Sequence, residues 1–261
     1  MSNKRGALTT KDKQGVVIII ITSIVLIILL AFYVKAISSP ERAFDKVTMC
    51  NDKMHRQNHN VIVIDVSDPL SPHQKRYLPA KVLDIVDDAA RNDRFTVFVL
   101  DKSVTGLSKP IADVCKPKSP DDVNILTENE RFLTKNFQEK FLFPMNEAIA
   151  ELVEGKDMEV SPIYESISDL KSLNILDKSA DKRTVFIISD MLQNTPFASV
   201  YSKGEKAIDD LPKFSLESTD VYVFWLDRDQ DKKYQTKGLA ESWAKYLDAV
   251  ANLREIERVR Y

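Results

Sequence analysis

Within the run VIVIDVSDPLS, Val61 to Ser71, four apolar and mostly β-branched residues lead into Asp65, with Ser67, Asp68 and Ser71 directly behind. On an extended backbone, side chains alternate with period 2, so Asp65 and Ser67 point to the same side. A carboxylate and a hydroxyl then address one spot, an oxygen-donor pair suited to a polar ligand. A continuous apolar run of this length predicts a strand buried on both faces, the pattern of a parallel sheet. The oxygen-bearing residues fall just past its carboxyl end, where open α/β sheets bind ligands. A plainer reading stands beside this one: Asp68-Pro69 makes a turn and Ser71 caps the next helix.

Other chemistries are poorly supplied. The 261 residues carry 37 basic and 39 acidic side chains for a formal net charge of −2, so no strongly basic face for nucleic acid is implied. Two cysteines, Cys50 and Cys115, exclude a four-cysteine zinc site and a disulfide-dense scaffold; paired or free thiols both remain open. The three histidines are His55, His59 and His73. His55 and His59 stand at i, i+4 spacing without a Glu or Cys pattern nearby and are expected to be solvated linker residues. No Gly-rich phosphate loop of either common spacing is present.

The elements that would position Asp65 begin after a membrane segment. Val16 to Val34 is almost wholly apolar and, as a helix rising ~1.5 Å per residue, reaches just under the ~30 Å of a hydrocarbon core. It is longer than the apolar part of a signal peptide and lacks a small-residue cleavage site, so an uncleaved signal anchor is expected. Lys4, Arg5, Lys11 and Lys13 precede it, against Lys35, Arg42 and Lys46 behind, a slight bias placing the N-terminus in the cytoplasm. The expected organisation is a cytoplasmic tail (1–15), a transmembrane anchor (16–36), a polar linker (37–59) and one domain (60–261). The domain would be periplasmic, on a single-pass protein of a bacterial inner membrane.

Within the domain, strands are predicted at 61–65, 95–100, 184–189 and 221–226. Between them lie a helix over Gln74 to Arg91 and a loop over 102–125. An aromatic-rich helix follows over Asn129 to Val153, broken or bent at Pro144. A further helix is capped by Ser161 and opened by Pro162, and a final amphipathic helix runs from Leu239 to Leu253. Strands alternating with helices predict an α/β fold, a doubly wound and mainly parallel sheet flanked by helices.

Three separated segments then point to one place: Asp65 and Ser67 after the first strand, Ser161 at a helix start, and Asp190 after KRTVFIIS. This order resembles the von Willebrand factor type A domain. In that family a metal-ion-dependent adhesion site uses Asp-x-Ser-x-Ser, a Thr before a central helix, and a later Asp. Ser161 stands at the Thr position, and Ser-Pro-Ile-Tyr-Glu-Ser-Ile is similar to the family's Thr-Pro-Leu-Tyr-Glu-Ala-Leu form. Pro69 replaces the last Ser of the motif and removes one oxygen ligand. The resemblance covers about residues 60 to 253. It implies a degenerate site in which Asp65, Ser67, Ser161 and Asp190 hold Mg²⁺ or Mn²⁺, or a metal-free relative in which the carboxylates bond backbone N–H groups.

The function implied is a membrane-tethered protein-binding or scaffold module of an envelope complex, not an enzyme, with membrane or envelope proteins as partners. A metal-assisted hydrolase using Asp65 and Asp190 is the alternative. Recruitment of a partner through the 102–125 loop, with a vestigial metal site, is a third reading.

Overall fold

The strand that leads into Asp65 lies inside a six-stranded sheet, covered on both sides. In the computed structural model, which describes residues 10–37, 44–65, 67–100, 106–122, 129–154 and 159–260, β1 spans Asn58–Ile64. Its apolar residues divide by parity: Val61 and Val63 enter one hydrophobic core, Ile62 and Ile64 the other. Each such burial contributes roughly 1.5–3 kcal/mol, so an unbroken apolar run is stable only where both faces are covered. β4 (Lys182–Ser189) and β5 (Thr219–Leu226) divide in the same way.

The strand order is β3-β2-β1-β4-β5-β6. β2 (Arg94–Val99), β1, β4, β5 and β6 (Asn252–Val259) run parallel, and β3 (Ala112–Cys115) is an antiparallel edge. The four expected strands are therefore present in an α/β fold, with two more at the edges. β6 escapes an apolar-run criterion because its sequence NLREIERV alternates and its edge position leaves most residues exposed or half-buried. β3 is four residues long and lies within the stretch expected to be a loop; positions 102–105 and 123–125 of that stretch lie outside the described residues.

Helices cover both faces. α2 (Gln74–Asp88) buries Leu78, Val82 and Val86 on one side, and tolerates Pro79 in its second turn. On the same side, α3 (Glu130–Asn136) continues through a π-helical segment, Phe137–Leu142, into α4 (Phe143–Glu154). Pro144 has no N–H to return to the carbonyl of Lys140, and the helix widens just before it instead of ending. The other side is covered by α5 (Ile163–Ser172), the short α6 (Val200–Lys203) and α7 (Lys206–Asp209), and α8 (Lys237–Val250). α8 stops at Val250, and Leu253 belongs to β6.

Ser71 behaves as the plainer reading expects. Its hydroxyl accepts from the Gln74 N–H at 3.2 Å, and its own N–H donates to Gln74 Oε1 at 3.0 Å. His59 corrects the expectation of a solvated linker residue: it lies in β1, fully buried. Its Nδ1 accepts from the Asp177 N–H at 2.9 Å, and its Nε2 faces Thr96 Oγ1 at 2.8 Å. Cys50 and Cys115 are joined in a disulfide that ties the segment before β1 to β3.

The chain divides into two units, Met1–Phe44 and Asp45–Tyr261. The first contains α1 (Thr10–Ile37), whose stretch Gln14–Lys35 is long and apolar enough to cross a membrane and has no buried residues. Thr22 satisfies its hydroxyl on the carbonyls of Ile18 and Ile19, both at 3.0 Å, as a polar residue in such a helix must.

Candidate functional site

The strand order reverses beside β1. The chain leaves β1 toward β2 and β3, then returns to β4 on the opposite side. Connections at the carboxyl ends of β1 and β4 therefore diverge and leave a crevice. The Asp65 N–H donates to Ile188 O at 2.8 Å, which continues the β1–β4 ladder one residue past β1. Because Ile64 pairs with Ile188, Asp65 comes opposite Ser189, and Asp190 follows on the neighbouring loop.

Asp65 is buried, and both of its carboxyl oxygens are engaged. Oδ1 accepts from the Ser67 N–H at 3.0 Å, closing a turn. Oδ2 accepts from Ser161 Oγ at 2.7 Å and from Ser189 Oγ at 2.9 Å. Asp190 is equally buried, and its Oδ1 accepts from the Leu192 N–H at 2.9 Å. Between them, Met191 holds φ at 61°, a left-handed conformation costly for a long side chain. Its N–H donates to Ser189 Oγ at 2.9 Å and its carbonyl accepts from Trp243 Nε1 at 2.9 Å, so β4 and α8 together hold the turn that presents Asp190.

Ser161 does not cap a helix. α5 begins at Ile163, after Pro162, and Ser161 instead pairs through its backbone with Asn194, at 2.9 and 3.0 Å. Its hydroxyl is thereby freed for Asp65. The first turn of α5 is served from another loop: Gln193 Oε1 accepts from the Tyr164 N–H at 2.8 Å, while Gln193 Nε2 donates to Glu165 Oε2 at 2.9 Å.

Asp65, Ser67, Ser161 and Asp190 are thus brought to one place. Ser67, Asp68, Glu159, Ser161, Asp190 and Tyr201 line a cleft of about 320 Å³. Burial pushes the Asp190 carboxyl well above the usual carboxylate range, and the neighbouring Asp65 adds to the shift, opposed by Arg228. Burial likewise raises Asp68, against the pull of Arg228. The Tyr201 phenol is raised by burial and then by Asp190, so the hydroxyl at the cleft wall stays protonated.

Three participants are not legible as site residues in the sequence. Ser189 looks like one more strand residue until the β1–β4 register sets it opposite Asp65. Arg228 opens what reads as a charged surface loop, yet it is buried. Its Nη1 donates to Pro69 O at 2.6 Å and its Nη2 to Asp68 O at 3.1 Å, while its Nε lies 3.5 Å from Asp190 Oδ2. Gln235 accepts from the Arg228 N–H at 2.7 Å and donates to the carbonyls of Asp190 and Leu226 at 2.9 and 2.8 Å. One amide side chain thus locks the loops after β4 and β5 to each other.

Mg²⁺ held here would draw one or two carboxylates and the serine hydroxyls from the chain and the rest of its shell from water. Mg²⁺ takes six oxygens in near-octahedral array. Here Pro69 contributes no hydroxyl, and Asp65 already accepts three hydrogen bonds. Among the described residues, no group of three or more His, Cys, Asp or Glu side chains is arranged to hold a metal. A guanidinium already stands beside Asp190.

No protein-family model matches the chain, and no curated protein matches it. Among solved structures it is similar to an aerotolerance-related membrane protein from Bacteroides fragilis NCTC 9343 carrying multiple mutations to serine. The identity is 12% and the TM-score 0.40, over 78% of this chain and 91% of that one.

Proposed function

We propose that the chain is a membrane-tethered module, similar to von Willebrand factor type A domains, that docks a protein partner at the cleft between β1 and β4. The observation that carries this reading is convergence. Asp65, Ser67, Ser161 and Asp190 come from three separate segments and meet where the strand order reverses, a position that the fold leaves open to ligands. Tyr201 lines the cleft and is 40% exposed, and Phe197, on the loop leaving Asp190, is 59% exposed. Aromatic side chains beside a polar floor are the composition that protein interfaces favour.

The tether is the apolar helix Gln14–Lys35. The Cys50–Cys115 disulfide suits an oxidising compartment, which supports the domain lying outside the cytoplasm as the basic N-terminal tail suggests. Partners in this reading are membrane or envelope proteins.

The test is site-specific photocrosslinking of the full chain in its own membrane. A photoreactive residue replaces Tyr201 or Phe197, and in a control it replaces Leu173, exposed at the far end of α5. Docking at the cleft predicts a discrete adduct from the first two positions, absent from the third. Equal labelling from all three, or none from any, would sink the reading. Hydrolysis of an ester or phosphoester abolished by both Asp65→Asn and Asp190→Asn would replace it with the hydrolase alternative.

A further inference from the structure

We infer that Arg228 is the cation of this site: a guanidinium fixed within the chain stands at ion-pair distance from Asp190 and supplies the positive charge a divalent ion would otherwise bring, so the cleft keeps its form without metal. The inference concerns the cleft proposed for docking but needs no partner, and its failure would leave the docking reading intact.

Asp65 and Asp190 are buried side by side at the ends of the paired strands β1 and β4, and Asp190 and Asp68 line the cleft. Such an arrangement repels itself unless a positive group or a proton relieves it. Arg228 is placed to do so. It is 4% exposed, and its Nε lies 3.5 Å from Asp190 Oδ2 without a hydrogen-bond partner of its own among the described residues. A buried, unpaired N–H of a charged group is expensive, and Asp190 at ion-pair distance offsets part of that cost.

The remaining contacts hold Arg228 there. Its two Nη groups bond the carbonyls of Asp68 and Pro69, the residues that follow Ser67 in the loop after β1. Its own N–H is held by Gln235, which also bonds the Asp190 carbonyl. The guanidinium therefore joins the loops after β1, β4 and β5, a task that a bound ion would otherwise perform through ligands from each. Pro69 fits the same account. Where Asp-x-Ser-x-Ser would offer a hydroxyl to a metal, this chain offers a carbonyl to an arginine.

The geometry also explains why an ion would be unwelcome. A divalent cation beside Asp190 would sit within a few ångströms of a guanidinium that cannot lose its proton.

The experiment is Mn²⁺ binding to the full chain in detergent, read by loss of the free-ion paramagnetic resonance signal and by thermal unfolding. The wild-type chain is expected to bind no Mn²⁺ at millimolar concentration and to unfold at the same temperature with or without chelator. Arg228→Met is expected to tighten Mn²⁺ binding by at least about tenfold, the least that removing one nearby charge does at an effective dielectric near 20. Adding Asp65→Asn should abolish that gain. Arg228→Lys, which keeps the charge, should stay as indifferent to Mn²⁺ as the wild type. Saturable binding to the wild type that disappears with Asp65→Asn would overturn the inference. So would an Arg228→Met chain that folds and gains no affinity. Should Arg228→Met fail to fold, Arg228→Gln takes its place with the same two outcomes.

Discussion

Ser161 Oγ donates to Asp65 Oδ2 at 2.7 Å across 96 residues of chain. With Ser189 on the same oxygen, this bond holds the carboxyl in place at the end of β1. Among the described residues, Ser161→Ala leaves Ser189 as the only hydroxyl on Oδ2. Hydrogen bonds to charged groups are worth roughly 1.5–3 kcal/mol, and the remaining serine shares the load, so a loss of about 1–2 kcal/mol is expected in urea unfolding. Ser161→Thr keeps the hydroxyl and should lie within about 0.5 kcal/mol of the wild type. Equal losses from both substitutions would show that packing, not the bond, matters at this position.

His59 predicts how stability responds to acid. Its Nδ1 accepts from a backbone N–H, so the ring proton of the neutral form sits on Nε2. Protonation would set N–H against N–H. Burial first, then Arg94, lowers its pKa from 6.5 to about 4. Between these values the unfolded chain binds a proton that the folded chain does not, so stability is full above about pH 6.5 and falls as pH drops toward 4. At about 1.4 kcal/mol per unit the loss is on the order of 3 kcal/mol. His59→Gln should flatten that slope whatever it does to the absolute stability. An unchanged slope in the variant would remove His59 from the account.

Lys116 follows β3 and points its ammonium at the end of α2, where Nζ donates to the carbonyls of Val86, Asp87 and Ala89 at 2.9, 2.8 and 2.8 Å. These are the carbonyls a helix leaves unbonded, and α2 has no basic residue of its own in its last turn. Lys116→Met keeps the stem and removes the charge, and should cost about 1–2 kcal/mol in urea unfolding. Hydrogen exchange should localise the loss to the last turn of α2. Uniform loosening of the whole domain would contradict this assignment.

The Cys50–Cys115 disulfide closes a separation of 65 residues. By loop-closure entropy such a link stabilises the fold by up to about 4 kcal/mol. Reduction should therefore lower the unfolding midpoint markedly, and Cys50→Ser with Cys115→Ser should reproduce the effect. A reductant with no influence on the midpoint would mean that the bond does not form in solution.

Much of the architecture is legible in the sequence. The apolar helix is announced by its unbroken length, and the four strands β1, β2, β4 and β5 by shorter apolar runs that are buried on both faces. The positions of Asp65 and Asp190 follow, because a carboxylate directly after a two-sided buried strand must emerge at the sheet's carboxyl edge. β3 and β6 were not legible: β3 is only four residues long, and β6 leaves most of its residues exposed or half-buried, so neither forms an apolar run. Nor was the start of α5, where Ser161 carries the residue type of a cap but spends its hydroxyl on Asp65.

What only the tertiary structure decided is which distant groups complete the site. Ser189 joins Asp65 because β1 and β4 pair in one register, and a shift by one residue would turn it to the opposite face. Arg228 reads as a solvated charge because its neighbours in sequence are charged, yet it is buried because its neighbours in space are the carbonyls of Asp68 and Pro69 and the carboxyl of Asp190. His59 reads as a polar linker residue and is buried because Thr96 and the Asp177 backbone offer its two nitrogens complementary partners. Burial of an apolar run depends on the run itself, and the local sequence determines it. Burial of a polar or charged group depends on compensation by partners tens to more than a hundred residues away, and only the folded chain brings those together.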